Sequence, residues 1–540
     1  MSGFRPFTRQ LGFQPGVQLN PLADNTDGVA PDNSDQVFAA IARLSRGRID
    51  RPFKVNRSNL LSMLGAPASI RTNGLNEGKL QIYEGLNNGG YECVVQRLAP
   101  ISATKSYAVI DMTNAATAFS VSASPPVSSW SIAVLDHACY NDGITVALHS
   151  DSTPLGGAAV SNKELTLRVM DAKGNIRHEF TGSVDPAAVD DFGASYYLPD
   201  IASSQTDEIE VSISTAFSAG VLATSDGYGR GNDGRGKWVT SSVLTCFNEG
   251  GTIYAATDYD RCIEALRNTT IPFGYLITGG TQVLSFLGKL VAFAVEINAP
   301  IKVDLNGRLT PAAAITLMQS LNIDTHYAHV YWAPIEADDP MNGGKAVWGA
   351  AGLNVGFSCA RNAQINAKGF APKNWPVAGS RYPLNRTGIR QLYKPTEQEL
   401  SDLAKSQINP VIFEIYNGGG KTVFTDSLTS AKTRVSYKKL INVAEMSASL
   451  DNWVTTYSKE LLQLPMSEFI KRMDAFLDIL LSDAQASGWL VPSKMLPGNA
   501  AYQFKVQASE VRPADLVLID YWTSYDGVAR QVIVQQTLTR

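Results

Sequence analysis

Asn76-Glu77-Gly78-Lys79-Leu80-Gln81-Ile82-Tyr83-Glu84-Gly85-Leu86, then Asn87-Asn88-Gly89-Gly90, then Tyr91-Glu92-Cys93-Val94-Val95-Gln96-Arg97-Leu98, is the run that decides the fold. The first part reads as a helix. Asn and Gly tolerate the left-handed conformations that close a helix, so the four residues from Asn87 stop it. The last part, with Val94 and Val95 at its centre, reads as a strand. A helix that passes directly into a strand predicts an α/β layer. Upstream, Gln36 to Arg43 is apolar enough to be a buried strand or a short helix. Asn56 to Leu64 reads as another helix, closed by Gly65.

The texture changes after residue 100. Residues 101–225 are rich in Ser, Thr, Ala and Val, in short alternating runs such as Leu165 to Val169 and Ile209 to Ile213. Asp171-Ala172-Lys173-Gly174-Asn175 reads as a hairpin turn between two such runs. These residues are expected to form an inserted all-β domain. Residues 226–237 are a Gly-rich loop, after which the α/β texture returns. Tyr259 to Asn268, Gln282 to Ala294 and Pro311 to Leu321 read as helices, and Tyr275 to Thr278 as a strand.

A small-residue segment, Gly349 to Gly356, opens the next part. Thr396 to Lys405 reads as a helix. Val411 to Tyr416 and Lys421 to Phe424 flank Gly418-Gly419-Gly420 as a hairpin. Lys438 to Leu461 reads as a long helix and Pro465 breaks the chain. A second helix then runs to about Ser487, closed by Gly488. Its residues Met466, Phe469, Ile470, Met473, Phe476, Leu477, Leu480 and Leu481 make one apolar stripe. Lys471, Arg472, Asp474 and Asp478 lie off that stripe.

The two ends have their own character. Residues 1–34 carry Gly, Pro, Asn and Asp and read as an extended arm, with Val17 and Leu19 in a short strand-like run. Gly527 to Arg540 alternates, with Val528, Arg530, Val532 and Val534 on one side and Ala529, Gln531, Ile533 and Gln535 on the other. No partner strand stands beside it in sequence. Such a strand has to join a sheet in its own subunit or in a neighbour.

The predicted class is α+β multidomain: an α/β body and an α+β C-terminal domain, with an inserted all-β domain and extended terminal arms. The expected divisions are an arm at 1–34, a middle domain at 35–100 and 226–345, the β-rich insert at 101–225, a C-terminal domain at 346–515 and a strand arm at 516–540. A length of 540 residues agrees with about three or four domains.

Composition narrows the function. Hydrophobic residues at 44% and charged residues at 18% describe a folded protein. A net charge of −4 offers no basic excess for a nucleic-acid backbone. Five histidines leave little material for general-base catalysis or metal ligation. Cys93, Cys139, Cys246, Cys262 and Cys359 are widely spaced and include no CxxC pair, which fits reduced thiols in a cytoplasm. The start, Met1 to Pro6, has no apolar core of a signal peptide. Val283 to Ala299 is broken by Gly288, Lys289 and Glu296 and is too short to span a bilayer.

Four motifs invite a chemical reading. Asn417-Gly418-Gly419-Gly420-Lys421-Thr422 suggests a phosphate loop, but Ile415 stands where its first Gly belongs and a strand, not a helix, follows. Gly229-Arg230-Gly231-Asn232-Asp233-Gly234 matches a dinucleotide pattern without its strand–turn–helix context. His326 and His329 have no third metal ligand at a plausible spacing. Asp338 and Asp339 precede Pro340 in what reads as a loop. No GxSxG or HExxH motif occurs. A nucleotide-dependent enzyme is therefore the weaker rival, and no catalytic residue, metal or cofactor is assigned.

Taken in order, several segments resemble one family. Pro15-Gly16-Val17 is similar to the arm of tail sheath proteins from contractile phage tails and contractile bacteriocins. Gly47-Arg48-Ile49-Asp50-Arg51-Pro52-Phe53-Lys54-Val55, followed by Leu60 to Gly65, resembles that family's Gly-to-Val run and short helix. Asn88 to Arg97 looks like its Asn-Gly-Gly-x-x-Cys-x-Val-x-Arg strand. Ala363 to Pro372 and Leu400 to Tyr416 resemble later passages, and the two long helices, Gly488-Trp489 and a terminal strand follow in the family's order. The likeness covers most of the chain except the β-rich insert. One departure is Asp426-Ser427-Leu428-Thr429, where the family often carries Arg-Thr-Leu. The contact made by that arginine is then absent or supplied elsewhere.

The resemblance implies a polymerising subunit: stacked six-fold rings around a tail tube, held by strand exchange between arms and a C-terminal sheet. Contraction from a metastable extended state would then drive the tube through the host envelope without nucleotide. Expected partners are neighbouring sheath subunits, the tail tube protein, the baseplate and the tail terminator, with no direct nucleic-acid contact and no stable membrane insertion. The expected location is the virion tail, after assembly in the host cytoplasm. Val17, Leu19, Val528, Arg530, Val532, Ile533 and Val534 are the expected exchanged positions. Val411, Phe413, Ile415, Val423 and Phe424 are expected on the acceptor hairpin, and Lys471, Arg472, Asp474 and Asp478 toward the tube. A baseplate or other virion structural protein is the alternative.

Overall fold

The computed structural model describes residues 33–113, 116–125, 131–149, 164–214 and 238–537. Val17 and Leu19, the dinucleotide-like motif at 229–234 and most of the expected N-terminal arm lie outside them. Among the described residues no helix is long and apolar enough to cross a membrane.

One eight-stranded sheet organises the body. Its strands are β1 (Val37–Ala42), β2 (Phe53–Val55), β3 (Glu92–Arg97), β4 (Tyr275–Ile277), β5 (Ile301–Leu305), β6 (Ala328–Trp332), β7 (Ile408–Tyr416) and β8 (Gly419–Phe424). Their order is β2-β3-β1-β4-β5-β6-β7-β8. The six inner strands are parallel, and the edge strands β2 and β8 are antiparallel. Parallel strands covered on both faces read as unbroken apolar runs. That is the text of Val37–Ala42, buried along its whole length, so Gln36 to Arg43 takes the strand alternative.

Helices cover both faces. On one lie α2 (Ala256–Arg267), α3 (Leu284–Glu296), α4 (Pro311–Leu321) and α6 (Glu397–Lys405), packed on Ala39, Leu276, Val303 and Val330. On the other lie α1 (Glu77–Asn87) and α5 (Ala351–Asn362), packed on Phe38, Cys93 and Tyr275. The small-residue segment Gly349 to Gly356 is thus the start of a helix. Gly352 and Gly356 let α5 sit against the backbone of α1, where a Cβ on Gly352 would collide with the main chain of Gln81.

Two carboxylates fix the start of α5. Asp304 Oδ1 accepts from the Ala350 and Ala351 amides at 2.9 and 3.1 Å, and Glu77 Oε1 from the Gly349 amide at 2.7 Å. Burial, with the neighbouring Glu77 charge, pushes the Asp304 carboxyl up to about 8. Burial likewise raises Glu77, and the buried Arg386–Glu84 pair adjoins them. A raised carboxyl favours the folded state fully below its unfolded value near pH 4. That contribution is lost as pH rises through about 8. We therefore expect the difference in denaturation midpoint between wild type and Asp304→Asn to shift in favour of the variant from pH 5 to 9. Parallel curves in a pH series of denaturant titrations would refute the assignment.

The sheet runs across the expected division at 345. β7 pairs with β6 from Val330↔Ile408 to Trp332↔Pro410, and α5 packs against α1. Residues on both sides of 345 therefore build one layer.

The β-rich part is two four-stranded antiparallel sheets sharing a core of Ile110, Val134, Val146, Leu167 and Phe180. The hairpin expected around Asp171–Asn175 is present, with Gly174 at φ +83° and Asp171 Oδ1 accepting from the Lys173 and Asn175 amides. One sheet takes its last strand from Val239–Thr240, beyond the expected limit at 225. Buried arginines fasten this part to the body. Arg97 donates to Gly47 O at 3.1 Å, Cys139 O at 2.6 Å and Asn141 Oδ1 at 2.7 Å. The Tyr140 ring lies between the Arg46 and Arg177 guanidinium groups, 4.1 and 3.9 Å from its centroid.

Candidate assembly interface

The C-terminal lobe begins with two helices, α7 (Ile441–Glu460) and α8 (Met466–Ala486). The apolar stripe of α8 puts Phe469, Met473, Leu477, Leu480 and Leu481 into a core with Met446, Leu450 and Val454 of α7. Phe370, Trp453 and Trp489 close the core. Phe370 meets both indoles edge-on at 5.0 and 4.9 Å, and the indoles stack at 5.8 Å. Trp489 is fully buried and its Nε1 donates to Ala371 O at 2.8 Å.

A second hairpin lies on these helices: β9 (Tyr502–Ala508) and β10 (Val517–Thr523), paired from Tyr502↔Thr523 to Ala508↔Val517. Tyr502, Phe504, Val506, Val517, Ile519 and Tyr521 pack inward. Gln503, Lys505, Leu518, Asp520 and Trp522 face out. No third strand joins this sheet among the described residues. Two strands alone are a marginal sheet, and their free backbone groups are a template for further strands.

The chain leaves β10 through two anchors. The Asp526 amide donates to Trp489 O at 3.0 Å, and Asn442 Nδ2 donates to Asp526 O at 3.1 Å. Arg530 then forms a bidentate pair with Asp426, Nε to Oδ1 at 2.7 Å and NH2 to Oδ2 at 2.5 Å. An arginine thus does meet the Asp426 turn, but it comes from the arm. Beyond it residues 531–537 lie exposed and in no strand, with Val532, Ile533 and Val534 at 77%, 96% and 86% exposure. Val528 is half-buried.

The other expected interface residues fall into two groups. Lys471, Arg472, Asp474 and Asp478 are all exposed on α8, with Arg472 paired to Glu468 one turn away. Val411, Val423 and Phe424 are fully buried. They are core side chains of the eight-stranded sheet, which β7 and β8 continue. Only Phe413 and Ile415 are exposed, and the outer edge of β8 is partly taken where the Leu384 amide donates to Thr422 O at 2.8 Å. Asn417 and Gly418 form the turn from β7 to β8, and Gly419 and Gly420 already pair with Tyr416 and Ile415, so the stretch is a hairpin. Sequence reading passed over β9 and β10. Their alternation, Tyr502/Phe504/Val506 and Val517/Ile519/Tyr521, was the available signal.

A further polar cluster is buried between the lobe and the body. Glu445 on α7 receives Lys302 of β5 at 2.8 Å and Arg361 of α5 at 2.5 Å, all three side chains 1% exposed. Burial alone would raise the Glu445 carboxyl, but the two cations outweigh it and hold it well below the ordinary carboxylate range. Lys302 Nζ also lies 3.0 Å from His329 Nδ1, and burial pulls both groups down. This cluster joins the lobe to the body sheet. The His326 ring lies 4.1 Å from the Tyr327 ring, tilted by 37°. Asp339 caps a turn through the Met341 and Asn342 amides, and Asp338 pairs with Lys345. No group of three metal-ligating side chains occurs among the described residues. The five cysteines are buried and unbridged.

No protein-family model matches the chain, and no curated protein sequence matches it. Its structure is similar to the sheath tail protein of Desulfitobacterium hafniense, at TM-score 0.48 and 11% identity over 94% of this chain and 100% of that one. It is also similar to a chain of the anti-feeding prophage baseplate in its contracted state, at TM-score 0.46 and 11% identity over 98% and 99%. A third likeness is to the contracted PVC sheath complex of an extracellular contractile injection system, at TM-score 0.42 and 14% identity over 56% and 76%.

Proposed function

We propose that the chain is a structural subunit of a contractile tail sheath. It polymerises as stacked six-fold rings around a tail tube, and its contraction drives the tube through an envelope. The observation that carries this reading is the pairing of a donor and an acceptor on one lobe. Residues 531–537, with the exposed run Val532-Ile533-Val534, pair with no strand among the described residues, and no third strand joins β9 and β10 among them. A chain that holds both, unjoined, is built to link to copies of itself by strand addition. The ordered motifs from Pro15-Gly16-Val17 to the terminal strand support the same reading. The acceptor is then β9–β10, with the arm carrying Val17 and Leu19 as its second incoming strand. The β-rich insert faces outward, and the exposed side of α8 faces the tube.

Negative-stain electron microscopy of the purified full chain, beside a chain lacking residues 531–540, tests this. The cut spares Tyr525, Asp526 and Arg530, whose contacts are intramolecular. Striated hollow cylinders from the full chain, and monomers of unchanged thermal stability from the shortened one, are the expected result. Dispersed monomers from both would refute the proposal.

A further inference from the structure

The pair Arg530–Asp426 is the last side-chain contact the arm makes with its own subunit among the described residues. The Asp426 and Arg530 side chains are 16% and 25% exposed, so water screens the pair only in part. Planar bidentate geometry holds the guanidinium in one orientation. Asp426 follows directly on β8, the outermost strand of the body sheet, whereas β10 lies on the lobe helices. The pair therefore leads the chain from its own hairpin to the edge of the body. Ten residues follow it, enough to match the seven-residue strands β9 and β10.

We propose that Arg530–Asp426 is a clasp that sets where the chain stops belonging to its own subunit and where the strand given to a second copy begins. This rests on the sheath reading. The partner is a second copy of this chain, because the acceptor that the alternating apolar segment fits is this chain's own kind of hairpin. Its Leu518 and Trp522 are 39% and 47% exposed on the outer face. Asp426 and Arg530 are positioning residues. With the clasp closed, the donor strand starts from a fixed point. The span it must search is shorter, and its effective concentration at a neighbour's hairpin is higher. With the clasp open, the free arm begins at Asp526, and four more residues must be ordered on joining.

The test uses the full chain, wild type and carrying Asp426→Asn, Arg530→Gln, or the exchanged pair Asp426→Arg with Arg530→Asp. Sedimentation gives the concentration at which polymer appears. Each single variant is expected to raise that concentration on the order of tenfold, with an unchanged thermal midpoint, and the exchanged pair to recover most of the loss. Trypsin cleavage after Arg530 in the unassembled chain, read by mass spectrometry, reports the clasp itself. It is expected to be faster in Asp426→Asn than in wild type. Wild-type polymer with both single variants assembling at the same concentration would overturn the clasp and leave the sheath reading intact. Equal cleavage rates would overturn the clasp whatever the chain assembles into. A wild-type chain that never polymerises would overturn the sheath reading and the clasp with it.

Discussion

Glu445→Gln is expected to destabilise the folded chain by about 3–5 kcal/mol. Glu445 is the single carboxylate between Lys302 and Arg361, all buried. The amide keeps the shape and one acceptor but leaves two cations facing each other in a medium that solvates neither. Removing charge from one member is thus worse than removing charge from all. Lys302→Met, Arg361→Met and Glu445→Leu together should recover much of the loss, less what Arg361 gives through Trp375 O and Asn362. Denaturant titration followed by far-UV circular dichroism reads both. A midpoint for Glu445→Gln equal to wild type would show that the cluster adds nothing.

Trp489→Ala is expected to cost a similar amount, about 3–5 kcal/mol, but in a different place. The indole is fully buried between Phe370, Trp453 and the lobe helices, and the backbone oxygen of Trp489 holds Asp526. Deleting the ring leaves a cavity and removes one of the two donors to Ala371 O, the Lys373 amide remaining. Hydrogen exchange should quicken through α7, α8 and β9–β10 and much less in β1, β5 and β6. Uniform loss of protection across the body would show that lobe and body melt as one unit.

How far these features were legible depends on whether local pattern or distant pairing decides them. α4 and the stripe of α8 were readable, since a 3.6-residue pattern needs no knowledge of neighbours, whereas the apolar run of β1 fitted a buried strand or a short helix until its pairing decided. α5 was not, because Gly352 and Gly356 lower helix propensity. What fixes it is its contact with α1, some 270 residues earlier. β9 and β10 alternate cleanly, but residues 509–516, with Pro513 and three charges, stand between them instead of a two-residue turn. Alternation marked Val411, Val423 and Phe424 as strand residues. It could not say which sheet covers them, and the covering sheet is their own subunit's. The break expected at 345 follows a real change in texture, yet parallel strands join across any length of chain, so texture does not mark where a sheet ends. The terminal run from Gly527 was conspicuous in the sequence because it alternates with no neighbouring strand, and its exchange between subunits is the proposal it supports.

The attachment of the β-rich part combines two kinds of join. It enters and leaves the body through a narrow neck, where Thr104–Lys105 runs antiparallel to Phe247–Asn248. A unit whose two ends lie side by side can be gained, lost or exchanged in a lineage without rethreading the rest. The neck alone would make it a cassette. Arg97 prevents that from being free, for it sits at the end of β3 in the body and gives hydrogen bonds to Cys139 and Asn141 of the cassette. Removing residues 105–246 would take away the Cys139 and Asn141 acceptors and leave the Arg97 guanidinium with Gly47 O. The two parts are therefore joined by separable backbone and welded by a buried side chain.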